Sequence, residues 1–207
     1  MREVKDISKS IIFNKKGDIS WLLSQVALLI AVGILLASVA SLAFYSDWRK
    51  KAEIEVMASH FATAIKAMEL KEFPEKIRYS FPDKNFNYDV FLSTEYVIVK
   101  RYDGIMSKEI TVTKELHIRL WPAPPMSGGK GADGIYNYFG SIYGSHHNGA
   151  SPSTKLPLGV LEGEIKTMAK ELAINPYQIN LKKPLYIEKI FIYVEGGNAK
   201  SLVLIYQ

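Results

Sequence analysis

The stretch from Asn14 to Ile30, NKKGDISWLLSQVALLI, sets two lysines and a glycine directly against an apolar run. The run continues from Trp21 to Tyr45 as WLLSQVALLIAVGILLASVASLAFY, 25 residues without a charge. A helix of about 20 apolar residues crosses the hydrocarbon core of a bilayer, so this one is long enough to span with some tilt. The core of a secretory signal is shorter, about 7–15 residues, and ends at a small-x-small site before a polar mature start. Here Ala40 and Ser41 are followed by Leu42, Ala43 and Phe44. The pattern predicts a retained transmembrane segment over 21–45.

Charge is arranged around that segment. Residues 1–51 hold eight Lys/Arg against four acids, whereas 52–207 hold eighteen against seventeen. The net charge of +5 is therefore a property of the flanks, where cations meet a membrane surface, and gives no support to a nucleic-acid-binding face. Five Lys/Arg precede the span and Arg49-Lys50-Lys51 follows it. The rule that cationic flanks stay in the cytoplasm favours a cytoplasmic N-terminus. The chain has no cysteine, so neither disulfides nor thiolate metal sites are available to it.

Beyond the basic cluster the helical period persists. Ile54, Met57, Phe61, Ile65 and Met68 recur at steps of three and four, with Glu53, Ser59, Lys66 and Glu69 off that stripe. No proline precedes Pro74, and Gly33 is the only glycine between Asp18 and Phe73. One helix from about Ile19 to Glu72 is predicted, roughly 80 Å long and ended by Pro74. Its first half is apolar all round; its second half is amphipathic and packs on its own domain.

After Pro82 the period falls to two. Tyr88–Leu92, Tyr96–Tyr102, Glu109–Thr113 and Leu116–Leu120 read as an antiparallel meander, whose apolar face is the natural partner of the helix stripe. Residues 121–158 hold seven of the fourteen glycines between Gly128 and Gly149 and read as a long Gly/Pro-rich loop. A short helix bearing Leu161, Ile165, Met168 and Leu172 follows and ends at Asn175-Pro176. Strands Leu185–Glu195 and Ser201–Tyr206 close the chain around Gly196-Gly197-Asn198. The predicted class is α+β: a long N-terminal helix on an antiparallel sheet, with a second short helix. The expected divisions are a basic leader over 1–17, the long helix over 18–72, and a β-rich domain over 73–207.

Chemistry is sparse. Gly128-Gly129-Lys130-Gly131 lacks the spacing and the Ser/Thr of a phosphate-binding loop. His146 and His147 are adjacent, which suits joint ligation of one metal poorly, and no acid or cysteine stands near at a familiar spacing. The acids form no pair suited to general acid–base work, and no Gly-x-Ser-x-Gly occurs. The expectation is a protein without enzymatic activity, metal or cofactor. Tyr136, Tyr138, Phe139 and Tyr143, interleaved with glycines, have two readings. They form an interaction loop, since loop aromatics bury area at low entropic cost, or they tuck onto the core.

A basic leader, then Lys15-Lys16-Gly17, then Asp18-Ile19-Ser20 and an unbroken apolar helix resembles the class III signal of archaeal type IV pilin-like proteins. The long-helix-on-sheet layout is similar too, and the resemblance covers about residues 1–120. It implies cleavage by a prepilin peptidase between Gly17 and Asp18, with Lys15, Lys16 and Gly17 as recognition residues and Ser20 third in the mature chain. It also implies a membrane-anchored precursor, copies of itself or other pilin-like subunits as partners, and a cell-surface filament with the β-rich domain outside the cytoplasm, available for adhesion. Bacterial members carry a glutamate at the fifth mature position; this chain has Leu22. The alternative is a single-pass anchored extracytoplasmic binding or stator module that never polymerises.

Overall fold

The computed structural model describes residues 3–102, 109–116, 120–122 and 130–207. The fold is α+β. It divides into two compact units, Met1–Arg49 and Lys50–Gln207.

The first unit consists of the N-terminal part of helix α1, which runs Glu3–Glu69. The helix begins upstream of the predicted Ile19 and ends three residues before the predicted Glu72. The early stop has a local cause. Leu70 N–H donates to the Lys66 carbonyl and Lys71 N–H to that of Met68, which tightens the last turn. The ammonium of Lys189 then donates to the carbonyls of Glu69 and Lys71. A cation at a helix C-terminus satisfies orphan carbonyls and matches the negative end of the dipole. Lys189 is buried in doing so.

The second unit is built on two four-stranded sheets rather than the single meander expected from the sequence. One contains β1 (Glu75–Tyr79), β5 (Leu120–Pro122), β7 (Leu185–Ile192) and β8 (Lys200–Tyr206) in the order β1-β7-β8-β5. The other contains β2 (Asn87–Leu92), β3 (Tyr96–Tyr102), β4 (Ile110–Glu115) and β6 (Tyr177–Ile179) in the order β4-β3-β2-β6. The described pairings within these sheets are antiparallel except β5 with β8, where Trp121 stands opposite Leu204; outside the strands, Leu156 and Val194 form an isolated parallel bridge. Only the two ends of the predicted strand at Leu116–Leu120 are described. Leu116 N–H donates to the Glu95 carbonyl beyond the end of β4, residues 117–119 lie outside the described ones, and Leu120 opens β5 in the other sheet.

Alternation explains the layering. Along β7 and β8, Leu185, Ile187, Val203 and Ile205 face one core; Ile190, Ile192, Leu202, Leu204 and Tyr206 face another. These strands are covered on both sides, so their sequences read as nearly unbroken apolar runs. The first core takes the α1 stripe: Ile54, Phe61, Ile65 and Met68 meet Val90, Leu92, Val97 and Val99 of the second sheet. The expected partnership between stripe and sheet is present, shared between two sheets. The second core receives helices α2 (Gly131–Tyr143) and α3 (Val160–Ile174) through Ile135, Phe139 and Leu161.

Helix α2 lies inside the segment read as an irregular loop. Glycine disfavours helix by about 1 kcal/mol relative to alanine, and Gly134 and Gly140 mask the period. Burial of Ile135 and Phe139 at i and i+4 outweighs that bias, as tertiary packing usually does for short helices. Gly131 has φ +69°, and a Cβ there would stand 2.4 Å from Glu188 Oε2 and 2.6 Å from the Tyr206 hydroxyl oxygen. Only glycine lets the helix start against that pair.

Candidate functional site

Every residue from Ile19 to Arg49 is exposed in the isolated chain, and Leu29 and Phe44 are 71% and 77% exposed. An apolar surface of this extent marks a place of contact with a membrane or with another protein. The helix is long and apolar enough to cross a membrane. From Trp21 to Tyr45 the rise is roughly 36 Å, between the hydrocarbon thickness of about 30 Å and the full bilayer of about 40–45 Å. The aromatic residues fall where interfacial belts occur: Trp21 at one end, and at the other Tyr45 and Trp48, with ring centroids 6.3 Å apart.

The serine hydroxyls at Ser24, Ser38 and Ser41 are satisfied within the helix itself. The hydroxyl of Ser24 donates to the Ser20 carbonyl at 3.0 Å, Ser38 to Ile34 at 2.8 Å, and Ser41 to Ala37 at 2.8 Å. Each hydroxyl is satisfied four residues back, so none needs water in an apolar medium. Ser20, Ser24, Ala27, Ala31, Ile34, Ser38, Ser41 and Tyr45 follow one another at steps of 4, 3, 4, 3, 4, 3 and 4. That is the 3.5-residue period of a helix-packing seam, and six of its eight positions are Ser or Ala. Small residues allow helix backbones to approach closely in lipid.

Lys15, Lys16, Gly17 and Asp18 lie within α1, so the proposed scissile bond is in helical backbone. Gly17 is the weakest helix former of the four and disfavours helix by about 1 kcal/mol relative to alanine.

Tyr136, Tyr138, Phe139 and Tyr143 lie on α2 rather than in a loop, and they work together. Phe139 is fully buried, with Trp121 6.1 Å away edge-on. The Tyr136 hydroxyl donates to the Phe191 carbonyl at 3.0 Å. The hydroxyls of Tyr138 and Tyr143 donate to the two oxygens of Glu164 at 3.1 and 3.0 Å, which clamps α2 to α3. Burial, and then the neighbouring Glu164 carboxylate, holds both phenols above their ordinary pKa, so they remain donors at any ordinary pH. Sequence reasoning missed Glu164, which is 26 residues from Tyr138 and has no local signal.

A second polar group ties α1 to its sheets. Glu53 accepts from Arg101 at 2.9 Å and from Lys84 at 3.2 Å, and the Arg101 guanidinium lies 3.7 Å over the Phe86 ring. Desolvation opposes the Glu53 charge, but the hydrogen bonds from Lys84 and Arg101 outweigh it and hold the carboxyl below its usual range. His147 sits in a 3-10 turn, 3.1 Å from the Lys155 carbonyl and 4.0 Å from Glu195. Among the described residues no group of three or more His, Cys, Asp or Glu is placed to hold a metal. A groove of about 810 Å³ between Phe81–Asp89 and Gln178–Lys182 carries Asp83, Asp89 and Lys182 at its wall.

No protein-family model, no curated protein and no solved structure matches the chain.

Proposed function

We propose that the chain is a pilin-like structural subunit, anchored in the membrane before assembly and processed by a prepilin peptidase between Gly17 and Asp18. The observation that carries this reading is the run Lys15-Lys16-Gly17-Asp18-Ile19-Ser20 set directly before a charge-free helix exposed on every side. In this reading the β-rich domain stands outside the cytoplasm. The apolar helix then has two successive environments, lipid first and copies of itself or related subunits afterwards. The seam of serine and alanine from Ser20 to Ser41 supports close contact between such helices.

The test is the substitution Gly17→Val in cells that carry the native processing enzyme. The parent protein is expected to migrate as the leaderless form and Gly17→Val as the full-length precursor. Equal migration of the two at full length would overturn the processing step. Filaments containing the protein, seen by immunogold electron microscopy in the parent and lost in Gly17→Val, are the expected assembly result.

Leu22 favours a second reading. At the fifth mature position no carboxylate is present to pair with a neighbour's new N-terminal amine inside an apolar core. In that reading the chain is a single-pass anchored extracytoplasmic module that keeps its leader and does not polymerise. Retention of Met1 in the native protein distinguishes it.

A further inference from the structure

We propose that the span associates in the bilayer as a parallel pair of helices, two copies of this chain joined through the side-chain amides of Gln25. The pair rests on the reading of 21–45 as membrane-spanning and not on the cut at Gly17. It therefore belongs to the pilin-like and the unprocessed readings alike, and gives the contact between copies a stoichiometry and a face.

Gln25 is the single carboxamide in the charge-free run from Trp21 to Tyr45. The hydroxyls of Ser24, Ser38 and Ser41 bond within the helix. Gln25 is exposed, and its amide has no hydrogen-bond partner among the described residues. It lies one turn inside Trp21, roughly 6 Å along the axis, on the hydrocarbon side of the interfacial ring. An amide left unbonded in hydrocarbon is costly, and a hydrogen bond to a neighbouring helix removes that cost. A carboxamide carries donors and an acceptor together, so a second carboxamide complements it. The spacing around Gln25 identifies the helix that brings one. With Gln25 at position a of a heptad, Val32 and Val39 take the next two a positions, and Leu28, Leu35 and Leu42 take d. β-Branched residues at a with leucine at d favour two parallel strands, and a single polar a residue fixes their register. All six positions share one helix face and are exposed in the isolated chain. Copies inserted in the same direction are parallel, so each a residue meets its equivalent across a two-fold axis and the two amides fall together. The small-residue seam runs beside this face, with Ser24, Ala31 and Ser38 each one residue before an a position, and lets the backbones approach.

The chain has no cysteine, so single cysteines report contacts between copies without background. The experiment places the full chain in phosphatidylcholine vesicles at high lipid excess, with Val32→Cys or Leu35→Cys on the proposed face and Ile30→Cys or Ala37→Cys on the opposite one. Mild oxidation is expected to trap V32C and L35C as disulfide-linked dimers and to leave I30C and A37C monomeric. Adding Gln25→Leu to V32C should lower the trapped fraction by about three-fold or more. Equal trapping at all four positions, no trapping at any, or trapping unchanged by Gln25→Leu overturns the pair and leaves the span standing. Release of the parent chain from the vesicles by alkaline extraction overturns the span itself.

Discussion

Two stretches of one helix, Trp21–Tyr45 and Ile54–Met68, solve the same problem in opposite ways. In the first, apolar side chains cover the whole circumference and all are exposed in the isolated chain. In the second, one apolar stripe is buried against two sheets and charged groups occupy other positions. Polar groups follow suit. The span's serines bond to carbonyls of their own helix, whereas Glu53 reaches across to Arg101 and Lys84. The difference teaches that helix length alone carries no information about solvent. The distribution of charge around the axis does.

Substitutions at matched depth should break the comparison cleanly. Phe61 is fully buried among Tyr79 and Phe81, with ring centroids at 4.9 Å from each. Phe61→Ala should cost about 3–5 kcal/mol of domain stability, read by urea titration in detergent, and leave membrane insertion unchanged. Leu29→Arg should do the converse. It should oppose insertion by about 2.5–3.5 kcal/mol, read by alkaline extraction of membranes, and leave the urea midpoint of the domain where it was.

Gly131→Ala tests the seat of α2. Its Cβ would strike the Glu188–Tyr206 pair, whose hydrogen bond is 2.7 Å long, and the positive φ adds strain. A loss of about 1–3 kcal/mol is expected from backbone strain of this kind, seen as a lower thermal midpoint, with membrane insertion unaffected.

The Glu53 cluster should give the domain a pH dependence. Its carboxyl is held below its ordinary value of 4.5 in the folded chain, so the unfolded chain binds more protons there. Stability from this group is therefore present above pH 4.5 and is lost as pH falls through the lower folded value. Glu53→Gln should lower the urea midpoint at pH 6 and flatten part of the fall between pH 5 and pH 3. The smallest effect is expected next to the buried Met57. Val56 is 67% exposed, and Val56→Ala should change stability by less than about 0.5 kcal/mol.

What could be read from sequence follows from how local each cause is. The α1 stripe, β3 and α3 declare themselves through spacing within one element, and the span does so through the absence of charge over 25 residues. The second sheet does not. Residues 120–122 join β8 in parallel across about 80 residues of chain, and β1 joins β7 across about 110, so nothing near Trp121 or Ile77 announces its partner. Helix α2 was hidden because Gly131, Gly134 and Gly140 lower its propensity while its stability comes from a core assembled elsewhere. The Glu164 clamp was hidden for the same reason: its two tyrosines lie on another helix. The proposed processing residues are a different case, a linear motif from Lys15 to Ser20 that is a reading of the sequence alone.

That motif is also where the account is most exposed. Intact-mass measurement with N-terminal sequencing of the protein from its native membranes examines a single bond. A mature chain beginning at Asp18 is the predicted result. A chain still beginning at Met1 would contradict the account and leave an anchored module that is never processed.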